Sequence, residues 1–214
     1  MASTYVNNLR LNEMGTGDAS GTWGNTTNTN LELIGEALGF GTEAITTNAD
    51  THATTVADGA SDAGRAMYLK YTGTLDSTCT ITIGPNTMKR VQIIENGTSG
   101  SQNIIIKQGS GATITIPPGD TKAVYLDGAG SGAAVVDAFA SLSVVDLKVQ
   151  DDLTVTDDLI VNGDIDLEGA IDVNGTANLD VVDIDGAVDL NAPITIQQAS
   201  YFIGNSTNGF RFNN

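Results

Sequence analysis

IIENGTSGSQNIIIKQGSGATITIPPGDTKAVYLDGAGSGAAVVDAF (93–139) alternates short aliphatic runs with Gly-, Ser- and Pro-Gly-containing breaks. Each run reads as a strand and each break as a turn. ITIPPG places two prolines directly after a strand, where no ladder donor is needed. Upstream, AMYLKYTG (66–73), CTITIG (79–84) and RVQIIENG (90–97) continue the pattern. With NIIIKQG (103–109), ATITIPPGD (112–120), AVYLDGAG (123–130) and AAVVDAF (133–139) there are seven strand candidates. The spacing predicts an all-β, β-sandwich-like domain over 65–140, as an antiparallel sandwich or barrel.

Downstream, over 141–196, the period changes. Apolar-x-apolar pairs recur at Leu147/Val149, Leu153/Val155, Leu159/Val161, Ile165/Leu167 and Ile171/Val173, each step being six residues. After a slip at 177–181 the period resumes at Val182/Ile184, Val188/Leu190 and Ile194/Ile196. QDD, TDD, NGD, EGA and NGT separate the early pairs and are turn-forming. Six residues fit neither a 3.6-residue helix nor a hairpin sheet. They fit a β-helical or β-prism shaft in which each hexad is a short strand plus a corner. Residues 141–192 carry 13 of the 26 acids and one base, Lys148, so the acids would line the outside of a three-sided prism. One chain has too little interior for this shaft, so a homotrimer is expected, with the apolar pairs as core and subunit interface. Three intertwined chains absorb the slip together, which favours that form over a solo coil.

Upstream, residues 1–45 are rich in Asn, Thr and Gly and hold one short helix. In TNTNLELIGEALG (27–39), Thr29 and Glu32 have capping-box spacing, and Gly39 is a stop signal. Leu31, Ile34 and Leu38, with Leu33 and Ala37 beside them, share an apolar stripe. Residues 46–64 read as a polar connector, and 197–214 as a C-terminal cap or the start of a further element.

Composition narrows the function. The 214 residues carry 26 acids against nine bases, a net charge of −17. That disfavours nucleic acid, whose phosphates need cations, and anionic membrane surfaces. No segment reaches the ~18 apolar residues of a membrane span, and MASTYVNNLRLNEM (1–14) has no secretory apolar run. Membrane insertion is therefore not expected, and assembly in a cytoplasm is. The single Cys79 reads as a strand residue, and lone His52 sits in the polar connector without catalytic partners. GAGSGAA (128–134) lacks the Lys-Ser/Thr that grips phosphate. Asp164, Asp166 and Glu168 fail as an EF-hand because the twelfth position is Gly175. The chain is expected to be no enzyme, with no catalytic residues, metal or cofactor.

SGTWGNTTNTNLELIGEAL (20–38) resembles the N-terminal motif of bacteriophage tail fibre and fibre-like virion proteins, a Trp-Gly followed by spaced Asn and a short helix. The 93–139 stretch is similar to a β-domain of marine phage structural proteins, and LTVTDDLIVNGDIDLEG (153–169) to fibre shaft repeats. The resemblance implies a structural protein of the virion, projecting a trimeric shaft for host attachment. It implies anchoring on tail, adaptor or baseplate proteins through 1–45, with Trp23, Gly24, Asn28, Asn30, Leu31 and Ile34 as contact residues. It also implies a host surface glycan or protein as the distal partner. Against the pattern of a complete long fibre, no receptor-binding tip, chaperone or depolymerase domain is expected after Asn214. Two rival readings use the same features: a carbohydrate-binding module, which would want exposed Trp and Tyr platforms, and a hexapeptide-repeat left-handed β-helix transferase, which would want a His near the coils.

Overall fold

A computed structural model of the chain describes residues 3–179 and 182–184. Helix α1 spans Trp23–Ala37, and nine strands follow: β1 Phe40–Ala44, β2 Thr51–Thr55, β3 Tyr68–Thr72, β4 Cys79–Gly84, β5 Arg90–Asn96, β6 Ile104–Lys107, β7 Ile114–Ile116, β8 Thr121–Leu126 and β9 Val135–Asp137. All seven expected strands form, and the regular elements among the described residues are mostly strands, with one α-helix.

The pairing differs from the expected antiparallel sandwich or barrel. Through β6, consecutive strands go to opposite sheets, so β1, β3 and β5 stack in parallel in one sheet and β2, β4 and β6 in the other. Phe40 lies opposite Tyr68 and Tyr68 opposite Ile93; Thr51 lies opposite Thr80 and Thr80 opposite Ile105. The chain thus winds three coils, stepping 28 and then 25 residues in the first sheet. Parallel neighbours need a long crossover, and here the crossover is a strand of the facing sheet. The chain then reverses: β7 pairs antiparallel with β6, β8 with β5, and β9 with β8. The result is a five-stranded sheet, β1-β3-β5-β8-β9, facing a four-stranded one, β2-β4-β6-β7, both mixed and neither closed. Strand alternation marks which residues point inward, but it does not say which strand is the neighbour.

Between the sheets, stacked coils put like on like. Cys79 lies opposite Ile104, Ile81 opposite Ile106, and Ile104 opposite Ile116. They face Leu69, Tyr71, Ile94, Val124, Leu126 and Val135 across one core, and all are buried. At ~25 cal/mol per Å², each fully buried aliphatic contributes roughly 2 kcal/mol. At one end of the stack the corners also repeat. Ile45 N–H donates to Thr72 O at 2.8 Å and Leu75 N–H to Ser99 O at 3.0 Å. Gly73 sits there at φ +123°, and a Cβ on it would lie 2.5 Å from Ile45 O, so glycine lets adjacent backbones meet.

The strand pairing also moves the expected boundaries. β1 lies inside the expected attachment region 1–45, and the expected connector 46–64 holds β2 and part of a 3₁₀ turn, Ala63–Arg65. Both strands are integral to the sheets. The chain divides into two units, Met1–Val149 and Gln150–Asn214.

Among the described residues of 141–184 no strand forms, so the single chain shows no β-shaft. What it does show is a backbone bend at 150–151, 156–157, 162–163, 168–169 and 174–175. The bends recur every six residues, on the first two positions of QDD, TDD, NGD, EGA and NGT. Val188, Leu190, Ile194 and Ile196, and the expected cap 197–214, lie outside the described residues.

Candidate interaction surfaces: the helix face and the hexad legs

The N-terminal segment wraps back on the coils through polar contacts. Asn7 shapes a loop by accepting the N–H groups of Leu9 and Leu11 at 3.2 and 2.9 Å. A bridge between Thr4 and Glu13 closes it. The loop presents Leu9 O to Arg65, which is fully buried. The Arg65 guanidinium also donates to Ala57 O at 2.7 Å, Ala60 O at 2.8 Å and Asp62 Oδ2 at 3.0 Å, and Nε lies 4.0 Å from Glu36 Oε2 of α1. Beneath it, Arg90 holds Arg65 O and Ala66 O, while Gln92 Nε2 donates to Gly64 O and Ala66 O, both at 2.9 Å. Burial lowers the Arg90 pKa to about 10, with Asp62 opposing the shift; the group stays cationic at neutral pH. One side chain, Arg65, therefore joins the loop, the 57–62 turn and the helix. It was missed from sequence because nothing in SDAGRAM distinguishes it except an acid three residues earlier.

Helix α1 is longer than expected. It starts at Trp23 behind Thr22, which makes no side-chain cap bond, so the Thr29/Glu32 capping box is not used. Thr29 and Glu32 lie inside the helix. Gly39 follows the C-cap, as expected. The buried side of the helix is Leu33 and Ala37, at 2% and 5% exposure. Asn30 fastens that side: its Oδ1 accepts Asn12 N–H at 3.0 Å and its Nδ2 donates to Asn12 O at 2.9 Å. Asn30 thus has a structural partner within the chain. Asn28 is exposed and Gly24 half-buried.

The stripe next to that buried side faces solvent. Trp23, Leu31 and Leu38 are 63%, 61% and 68% exposed, and Ile34 lies on the same side, also exposed. At 100° per residue these four, with Thr27 between, fall within one ~80° sector. The sequence foresaw the stripe, and the resemblance made Leu31 and Ile34 contacts to another virion protein; the structure turns their neighbours Leu33 and Ala37 inward and leaves the stripe exposed.

The hexads carry a second apolar surface. Between bends lie four-residue legs, 152–155, 158–161, 164–167 and 170–173, whose second and fourth residues are aliphatic. Alternate residues of an extended leg would share one side: the aliphatic pair on one, and at least one Asp on the other (Asp152, Asp158, Asp164 with Asp166, and Asp172). The apolar side is uncovered. Leu153 and Val155 are 60% and 42% exposed, Leu159 and Val161 64% and 43%. Leu147, Val149, Ile165, Leu167, Ile171, Val173 and Ile184 are likewise exposed.

Polar candidates elsewhere are absorbed structurally. His52 Nε2 lies 2.8 Å from Glu43 Oε1, bridging the two sheets at the first coil, and its ring meets Tyr71 edge-on. Tyr71 and Thr54 bond each other at 2.7 Å and are buried, which leaves no accessible hydroxyl there. Cys79 is buried in β4, and burial raises its thiol pKa. Among the described residues no group of three His, Cys, Asp or Glu is placed to hold a metal, and no helix is long and apolar enough to cross a membrane.

Comparison with protein-family models, curated proteins and solved structures finds no match to this chain.

Proposed function

We propose that the chain is a structural fibre protein of a bacteriophage virion: a coiled β-domain that carries the attachment helix at its N-terminal side and continues into a trimeric shaft. One observation carries the reading. The backbone bends every six residues, in phase with aliphatic pairs that lie exposed among the described residues. Three such legs facing inward would bury Val155, Val161, Leu167 and Val173 on a shared axis and leave the aspartates outside, as a three-sided prism requires. An uncovered, regularly spaced apolar row is an association surface rather than a solvated one. The stripe Trp23, Leu31, Ile34 supports attachment of the base to another virion protein, with the aromatic as central anchor. Host attachment through whatever lies distal follows from the same reading.

Analytical ultracentrifugation of the full chain tests it. The expected mass is three times 22.1 kDa. A folded monomer at micromolar concentration defeats the proposal.

A further inference from the structure

The two sheets turn different chemistry outward. On the four-stranded sheet the outward residues of β2, β4 and β7 are largely threonine, with Thr51, Thr80 and Thr82 in adjacent positions. This is an ordinary solvated face. On the five-stranded sheet the outward row is Phe40, Tyr68, Ile93 and Ala123, paired strand to strand. Val91 and Tyr125 lie opposite each other in the next row. Phe40 and Val91 are 64% and 61% exposed.

We propose that this outer face of the five-stranded sheet is a self-association surface whose occupant is a second copy of the same chain. The inference rests on the trimeric reading above and extends it from the hexads to the β-domain.

Charge is the first argument. Copies with a net charge of −17 repel, and a patch whose charges are paired adds least to that repulsion. This face is balanced. Lys70 Nζ and Glu95 Oε1 pair at 2.7 Å, and Tyr68 O–H donates to Glu95 at 2.8 Å. Area is the second. Leu38 and Phe139 flank the face at 68% and 59% exposure and extend its apolar area toward the ~800 Å² per partner of a standard interface. Shape is the third. Two open hollows share the face, one of about 500 Å³ between Leu38, Phe40 and Tyr68, the other of about 410 Å³ between Ile93, Ala123 and Phe139. A ring of three needs heterologous contacts between two different patches, and the hollows supply two. Continuity is the fourth. Leu147, the first hexad aliphatic, follows Phe139 by eight residues, at most ~27 Å of chain. Copies joined at the hexads therefore hold these faces close together at high effective concentration.

The test uses the full chain and sedimentation across a dilution series. Phe40→Asp with Val91→Asp places unpaired acids on the face while changing only exposed positions, and circular dichroism checks the fold. Thr82→Asp on the other sheet is the control, and Val155→Asp probes the hexads. The expected result is dissociation at about tenfold or more higher protein concentration for the double variant, with Thr82→Asp unchanged. Phe40→Ser with Val91→Ser, which adds no charge, shifts the same way by less and guards against misfolding. If the double variants behave like Thr82→Asp while Val155→Asp dissociates, the sheet proposal is overturned and the fibre reading stands. An oligomer lost in the double variant but not in Val155→Asp keeps the sheet interface and overturns the hexad reading. A wild-type monomer overturns both.

Discussion

The β-domain and the hexads are both repeats of strand-like legs, yet only the first covers its own apolar side. A coil of 25 to 28 residues sends one strand to each of two facing sheets, so Leu69 and Ile81 meet inside a single chain. A hexad has one leg and one bend, and among the described residues Leu153 and Val155 remain exposed. The length of the repeat decides whether burial is intramolecular. The core of the first region should then form without a partner chain, and order in the second should depend on protein concentration.

The sharpest way to break that contrast places the same charge in each region. Leu69→Asp puts a carboxylate into the closed core and should cost about 5 kcal/mol or more, enough to unfold the domain at every protein concentration. Val155→Asp should leave the thermal transition of the β-domain in place and reduce the sedimenting mass threefold. If Val155→Asp unfolds the whole chain, the two regions are not separate in the way the repeat lengths suggest.

A smaller effect is expected where the β-domain holds its N-terminal loop. Arg65→Met removes the donor to Leu9, Ala57, Ala60 and Asp62, and should destabilise the domain by about 3 kcal/mol. The freed loop should also become susceptible to trypsin after Arg10, which otherwise pairs with Asp58 at 2.6 Å. Unchanged cleavage with lost stability would mean that Arg65 supports the core rather than the loop. Deleting residues 1–45 would not ask this question cleanly, since it also removes β1.

What could be read in advance follows from where each signal lives. β3 to β9 were legible because inward aliphatics alternate with polar residues between Gly and Pro breaks. β1 and β2 were not, because at the open first coil the inward positions hold Glu43, His52 and Thr54 in place of Ile and Leu. Parallel pairing was hidden for a different reason: Tyr68 and Ile93 become neighbours only after the chain has crossed to the other sheet and back. The first half of α1 was missed because Gly, Asn and Thr are poor helix formers, and the Asn30–Asn12 pair that fastens the helix is a long-range contact. The hexad period was visible in sequence and recurs in the backbone bends, but which chain covers the legs is a property of the assembly.

The smallest expected effect separates the regions by the sign of their response to solution conditions. In the β-domain, hydrogen bonding and charge from Lys70, with help from the Tyr68 hydroxyl, lower the Glu95 pKa, and Lys122 with the Phe139 N–H lowers that of Asp137. A carboxyl depressed in the folded state contributes stability that is present above its unfolded value, near pH 4, and is lost as pH falls through the folded value. The thermal midpoint of the β-domain should therefore decline modestly below about pH 4. Lys70→Met should flatten that decline by removing the Glu95 contribution. These pairs are largely solvated, so salt should weaken them slightly. The acidic hexads should answer salt in the opposite direction. Residues 141–192 carry a net −12 per chain, and bringing three such stretches onto one axis sets like charges near each other. Screening relieves that repulsion over a Debye length of ~10 Å at 0.1 M and ~3 Å at 1 M. Raising salt should then tighten association while leaving the β-domain unchanged or marginally less stable, as read by sedimentation and calorimetry on one sample. Association that weakens with salt would instead mean that attraction between unlike charges holds the copies together, and the apolar legs would lose their assigned role.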